Sequence, residues 1–431
     1  MADVLRRAWN KKMTISRREF LIGAAGISVS FLCTGTSRAD SAAQGSRRRI
    51  LVVLQLTGGN DCLNTFIPYT DQKYRDARPT LAISDASILK VTDRIGFHPS
   101  MERLKDLYLS GKLAFINNVG FASLDRSHFR CRDIWQTGIE TSGSSQGARG
   151  WLGRYADLYL ANGSTAVTTF SVGPRAPLGL TASELSGTAI TDPDGFDSST
   201  NLVIDPTDSD DQSAYKQALF QAYGLQRPAS DVELIRDRGN AAFQAVELFK
   251  QVSSSSTTPY PDSYLGKTFK LIARIVAANI GTDIVWVSVD GFDTHGLQAN
   301  THSALLTDVS NSLWAFQDDL TGRGLSDDVI VLAWSEFGRR VAENGNKGTD
   351  HGKAGTVFLV GDHVKGGTHY GDEPNLSDLD DGDLKTRIDF RSIYSTVIQD
   401  WFGRDPFPVL QSNYENLGFI ERPPKRRAAR H

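Results

Sequence analysis

Three stretches of this chain are short, almost continuously apolar and rich in β-branched residues: Ile50–Leu56, Ile284–Val289 and Val329–Trp334. Runs of this kind are strands buried on both faces, and a strand with no polar face belongs inside a parallel sheet covered by helices on each side. Leu113–Val119 and Thr356–Val360 read as further strands. Helical spacing fills the intervals. Pro99 to Leu109 carries Met101, Leu104 and Leu107, and Leu265 to Ala278 has the same period. A long amphipathic segment carries Leu305, Leu306, Val309, Leu313, Phe316 and Leu320 on one face. Alternating strands and helices predict an α/β fold around a mostly parallel sheet.

Each of the three apolar runs stops at an acid. Ile50–Leu56 leads into Thr57-Gly58-Gly59-Asn60-Asp61, Ile284–Val289 into Asp290-Gly291-Phe292-Asp293-Thr294-His295, and Val329–Trp334 into Ser335-Glu336-Phe337-Gly338-Arg339. If the strands are parallel neighbours, these acids meet at one sheet edge, the edge where open α/β proteins hold ligands. A Gly-rich loop adds Thr349-Asp350-His351-Gly352. Several carboxylates in one place disfavour joint ionisation unless a cation compensates them. Mixed carboxylate and imidazole donors suit zinc, manganese or iron. The expected ligands are therefore Asp61, Asp293, His295, Glu336, Asp350 and His351, around one divalent ion or two, zinc or manganese being favoured. Each motif also has a plain structural reading. Asp293-Thr294 can cap a helix, Asp61 can be a turn residue, and Glu336 with Arg339 can form a buried ion pair.

The N-terminus has the three parts of an export signal. Arg6, Arg7, Lys11 and Lys12 precede Ser16-Arg17-Arg18-Glu19-Phe20-Leu21, a twin-arginine pattern. The apolar stretch to Thr34 is too short to span a bilayer, and Ser37-Arg38-Ala39 offers a cleavage site. This predicts a signal over 1–39, passage through a twin-arginine (Tat) translocase, and a periplasmic or secreted product without stable membrane insertion. Loss of residues 1–39 removes seven Lys/Arg and two Asp/Glu and moves the formal charge from −3 to −8. That acidity argues against nucleic acid as a partner. Cys62 and Cys131 permit one disulfide but no cysteine-rich zinc site. A single large domain is expected over 40–421, with a polar, Asp/Ser-rich excursion near 190–260 and a disordered basic tail over 422–431. Residues 140–150 read as a mobile loop.

Six motifs in order carry a resemblance to a known family: Thr57-Gly58-Gly59-Asn60-Asp61-Cys62-Leu63-Asn64-Thr65, Arg126-Ser127-His128-Phe129, Gly291-Phe292-Asp293-Thr294-His295, Ser335-Glu336-Phe337-Gly338-Arg339-Arg340, Gly348-Thr349-Asp350-His351-Gly352 and Asp389-Phe390-Arg391-Ser392. From about residue 48 to about 404 the chain resembles the exported bacterial "domain of unknown function 1501" family, grouped with the alkaline phosphatase and sulfatase superfamily. The resemblance implies an alkaline-phosphatase-like three-layer sandwich and a metal site. It matches Asp61, Asp293, His295, Glu336 and His351 to superfamily ligand positions. One imidazole is missing, because Phe337 stands where the superfamily follows its acid with His. The nucleophile region falls at Asp125–Asp133, with Ser127 the candidate, His128 beside it, and Arg126, Arg130 and Arg339 as anion holders; Ser127 can instead cap the helix, and each arginine can equally form a structural ion pair. Cys131-Arg132-Asp133 lacks the proline of a formylglycine sulfatase motif. The implied activity is metal-dependent hydrolysis of phosphate or sulfate esters on an anionic small molecule or polysaccharide. The alternatives are a non-catalytic, polysaccharide-associated envelope protein on a degenerate scaffold, or a hydrolase whose attacking group is a metal-bound water.

Overall fold

A computed structural model of the chain describes residues 48–140, 148–173, 176–183, 187–190 and 256–423, with a few further residues at 27–29 and between 185 and 252. The expected loop at 140–150, the excursion near 190–260 and the basic tail lie largely outside the described residues.

The strands that position the site are β1 (Ile50–Leu56), β2 (Leu113–Gly120), β3 (Thr169–Val172), β4 (Thr188–Ile190), β5 (Ile284–Val289), β6 (Val329–Trp334), β7 (Gly355–Val360), β8 (Thr368–Tyr370) and β9 (Ile388–Asp389). The helices are α1 (Glu102–Leu109), α2 (His128–Thr137), α3 (Trp151–Tyr159), α4 (Tyr264–Ala278), α5 (Gln298–Gly322) and α6 (Phe390–Thr396). The main sheet has ten strands, ordered β4-β3-β5-β1-β6-β7-β2-β8, with β9 also on β2 and Ile27–Val29 beyond β4. Pairings from β4 to β6 are parallel. β7 runs antiparallel to both β6 and β2. The sheet is therefore mostly parallel, as its apolar strands require.

Alternation along the strands divides the interior into two layers of core. Val52 and Leu54 of β1, Val285 and Val287 of β5, and Val329, Val331 and Ala333 of β6 pack against α1, α4 and α5. Leu51 and Val53, Ile284 and Trp286, and Ile330, Leu332 and Trp334 pack against α2, α3 and α6 on the other face. Burying both faces of a strand removes several hundred Å² of apolar surface from water, worth about 25 cal/mol per Å², and demands helices on each side. Trp135 of α2 stacks on Trp334, with centroids 4.8 Å apart, which pins α2 beside the end of β6. Cys62 and Cys131 are both free and buried, so the possible disulfide does not form. No helix among the described residues is long and apolar enough to cross a membrane.

Candidate metal centre

β5, β1 and β6 are adjacent and parallel, so the turns that follow them share one edge. Their closeness depends on glycine. Gly58 has φ +120°, and a Cβ there would lie 2.3 Å from the Asp293 nitrogen. A Cβ on Gly348 would lie 2.3 Å from the His295 carbonyl carbon. The turns are also cross-linked: Gly58 N–H donates to Glu336 Oε1 at 3.0 Å and Asn60 N–H to Ser335 Oγ at 2.8 Å. The loop between β6 and β7 folds back so that Arg339 and His351 form an isolated antiparallel bridge, and Thr349 N–H donates to Thr294 O at 3.1 Å.

This framework gathers His128, Asp293, His295 and His351. His128, Asp293 and His351 can each offer a ligand atom within 4.8 Å of the others. Asp293 Oδ1 lies 3.0 Å from His295 Nε2 and 3.1 Å from His351 Nε2, and Oδ2 lies 3.4 Å from His128 Nε2. The Nε2 atoms of His295 and His351 are 2.9 Å apart. His128 Nε2 is buried and makes no hydrogen bond. Ligands about 2.0–2.1 Å from a tetrahedral zinc stand roughly 3.3 Å from one another, and the contacts of Asp293 with the three imidazoles lie near that spacing.

Every imidazole is held from behind through Nδ1. His128 Nδ1 meets Glu336 Oε1 at 2.9 Å, His295 Nδ1 meets Asp350 Oδ1 at 3.1 Å, and His351 Nδ1 meets the Arg126 carbonyl at 2.9 Å. An acceptor on Nδ1 places the proton there and leaves the Nε2 lone pair free for a cation. Arg126 adopts φ 64°, an uncommon value for a non-glycine residue, in the segment that turns its carbonyl toward His351. Burial raises the Asp293 carboxyl, but the Arg339 guanidinium that bonds it outweighs this and the pKa falls to about 2. Burial lowers His351 and so favours its neutral, ligating form. Asp350 is lowered by Asn344 and His295.

The other expected site residues fall elsewhere. Asp61 is wholly buried, and its two oxygens are taken by the Arg78 guanidinium at 2.6 and 2.9 Å and by Gln298 Nε2 at 2.5 Å. It sits under the centre, not within the imidazole cluster. Glu336 lies behind His128, and Asp350 behind His295. Arg339 is buried and pairs with Asp293 at 2.6 Å, where an ion pair with Glu336 was one reading of the sequence. Ser127 is the N-cap of α2 and its backbone N–H donates to Asp125 Oδ1. Arg126 pairs with Asp383, and Arg130 Nε lies 3.5 Å from Asp125 Oδ2. His128, at the start of α2, brings an imidazole against Glu336. Nothing in the local sequence marks His128 as a donor, because its partners lie in turns far along the chain. Arg78, the counterion of Asp61, escapes notice for the same reason.

A buried, mostly parallel sheet with an imidazole–carboxylate cluster at its C-terminal edge defines an α/β protein in which His128, Asp293 and His351 are close enough to share one cation. Residues 48–402 match the family described as protein of unknown function (DUF1501), and the chain belongs to that family. No curated protein matches it. Solved structures similar to the chain include Ps i-CgsB in complex with k-i-k-neocarrahexaose (11% identity, 86% of this chain and 75% of that one, TM-score 0.39). A protein in the alkaline phosphatase superfamily from Vibrio parahaemolyticus is similar at 11% identity, over 86% and 70% of the two chains, with TM-score 0.36. The C-terminal periplasmic domain of EcEptC from Escherichia coli is similar at 11% identity, over 88% and 90%, with TM-score 0.36.

Proposed function

We propose that this protein is an exported, metal-dependent hydrolase of phosphate or sulfate esters. One observation carries the reading: three imidazoles from three separate segments each have Nδ1 engaged by an acceptor, while their Nε2 atoms face Asp293. His128, Asp293, His295 and His351 would hold the ion, and three imidazoles with one carboxylate suit zinc. A bound divalent ion supplies Lewis acidity toward an ester oxygen and acidifies bound water. The protein's own residues do the rest. Glu336, Asp350 and the Arg126 carbonyl fix the imidazole tautomers. Ser127, at the N-cap of α2, is the candidate nucleophile, and the positive end of that helix favours an anionic group beside it. The twin-arginine pattern directs the folded protein out of the cytoplasm, where its substrate is an anionic ester of a small molecule or polysaccharide.

The test is a panel of aryl phosphate and sulfate esters assayed with the chelated and the metal-reconstituted protein. Metal-dependent turnover that falls at least 100-fold in His351→Ala is expected. No turnover on any ester, with or without metal, would leave the non-catalytic envelope reading standing in its place. Ser127→Ala separates two routes of attack: loss of turnover assigns the hydroxyl as nucleophile, and retained turnover assigns water.

A further inference from the structure

The acids at this sheet edge invite one divalent ion or two, and the surroundings of Arg339 choose between them. Its side chain is completely buried. Nε donates to Gly59 O at 2.6 Å and Nη1 to Thr349 O at 2.7 Å. Nη2 meets Phe292 O at 3.0 Å, Asp293 Oδ1 at 2.6 Å and Gly58 O. Four carbonyl oxygens and a carboxylate gathered around one side chain are the hard oxygen donors a cation takes. Here their partner is the guanidinium, a rigid fork of N–H donors.

We propose that the centre takes a single divalent ion, because the Arg339 guanidinium is built in as its second cation. This rests on the metal-centre reading above and sharpens it. The local charge agrees. Asp293, Glu336 and Asp350 bring three negative charges and Arg339 one positive, which leaves −2 for one divalent ion to neutralise. The fourth acid, Asp61, is cancelled separately by Arg78. Neither Asp61 nor Glu336 has the freedom a second ion needs, and Asp350 Oδ1 is already taken by His295 Nδ1 and the Asn344 amide. Both oxygens of Asp61 are engaged. Glu336 is buried, with Oε1 shared between Gly58 N–H and His128 Nδ1. Asp293 is thus held by a fixed organic cation on one side and faces the imidazoles that would hold the ion on the other. The guanidinium restrains the carboxylate in one orientation whether or not an ion is bound, so Arg339 is a positioning residue.

The experiment is a stoichiometry measurement on the full chain without its signal segment. Chelator-stripped protein is titrated with cobalt(II), desalted and analysed by plasma mass spectrometry, with visible absorption and electron paramagnetic resonance on the same samples. The expected result is saturation at one equivalent, a signal without spin coupling between ions, and affinity at least 10-fold weaker in His351→Ala. If His351→Ala does not fold, His295→Ala replaces it, since that side chain is 45% exposed. Two equivalents, both weakened by the histidine substitution, would overturn the single-ion proposal and leave the metal-centre reading intact. No binding at all, or one equivalent indifferent to both substitutions, would overturn the metal-centre reading and this proposal with it.

Discussion

Replacing Arg78 by Met tests whether Asp61 is structural or a metal ligand. The guanidinium is fully buried and donates to Asp61 Oδ1 and Oδ2, Asn64 Oδ1 and the carbonyls of Val341 and Arg340. The thioether side chain conserves much of the volume but supplies none of those bonds. Asp61 would keep only the Gln298 amide as a side-chain donor. Removing one partner of a buried ion pair costs about 3–5 kcal/mol. With an unfolding entropy near 2.1 cal/mol/K per residue over the roughly 310 described residues, that is a fall of about 5–8 °C in Tm. Asp61→Asn strands the arginine instead and should cost a similar amount. Arg78→Met with Asp61→Asn removes both charges together, and the double variant should be more stable than the sum of the single losses by about 2 kcal/mol or more. Calorimetry and urea unfolding measure the cycle, and cobalt titration of the double variant measures the centre. Stability losses that simply add would refute the ion-pair argument. A double variant that folds yet loses cobalt affinity 100-fold would return Asp61 to the ligand set.

Glu336→Gln keeps the shape beside His128 but takes away the charge that fixes its ring, so metal affinity should fall 10–100-fold by isothermal titration while the circular dichroism spectrum is unchanged. His98 and His302 are both held near pKa about 4 by burial; His302 bonds Asn60 Oδ1 and has Asp61, Arg78 and His98 close enough to act on it electrostatically. The unfolded chain protonates these histidines near pH 6.5 and the folded chain does not. Stability should therefore be full above about pH 7 and decline as pH falls from 6.5 toward 4, by roughly 2 kcal/mol per histidine at pH 5. Urea midpoints at pH 7.5 and 5.0 check this, and His302→Gln should flatten the slope. Gly58→Ala places a methyl group against the Asp293 backbone at a φ that disfavours side chains, and should lower both Tm and cobalt affinity.

The sheet was legible from its strands because double-sided burial leaves a continuous apolar signal. Ile50–Leu56, Ile284–Val289 and Val329–Trp334 have in the structure the bounds their composition suggests, and the acids after them share an edge because those strands are parallel neighbours. The direction of β7 was not legible, since Thr356–Val360 reads the same in either sense and the fold-back of 335–354 decides it. Within the site, Asp293, His295 and His351 could be gathered from sequence because each follows a strand or glycine turn aimed at that edge. The division between inner donors and their supports could not. Glu336 and Asp350 differ from Asp293 only in what stands in front of them, an imidazole in each case. Asp61 differs in having Arg78 and Gln298 beneath it, contacts set by packing across long separations.

The order of strands in the sheet has a kinetic consequence. β1 is flanked by β5 and β6, so Leu51 pairs with Ile284 and Ile330, and the centre of the sheet cannot close until the second half of the chain is available. Such high contact order makes folding slow. His128, His295 and His351 come from segments that meet only when those pairings are complete. An ion that needs all three has high affinity for the finished fold alone, and its binding energy then stabilises that state by mass action. If the proposed centre is filled, the compartment in which the chain completes its sheet is therefore the compartment whose free metals decide which ion enters it.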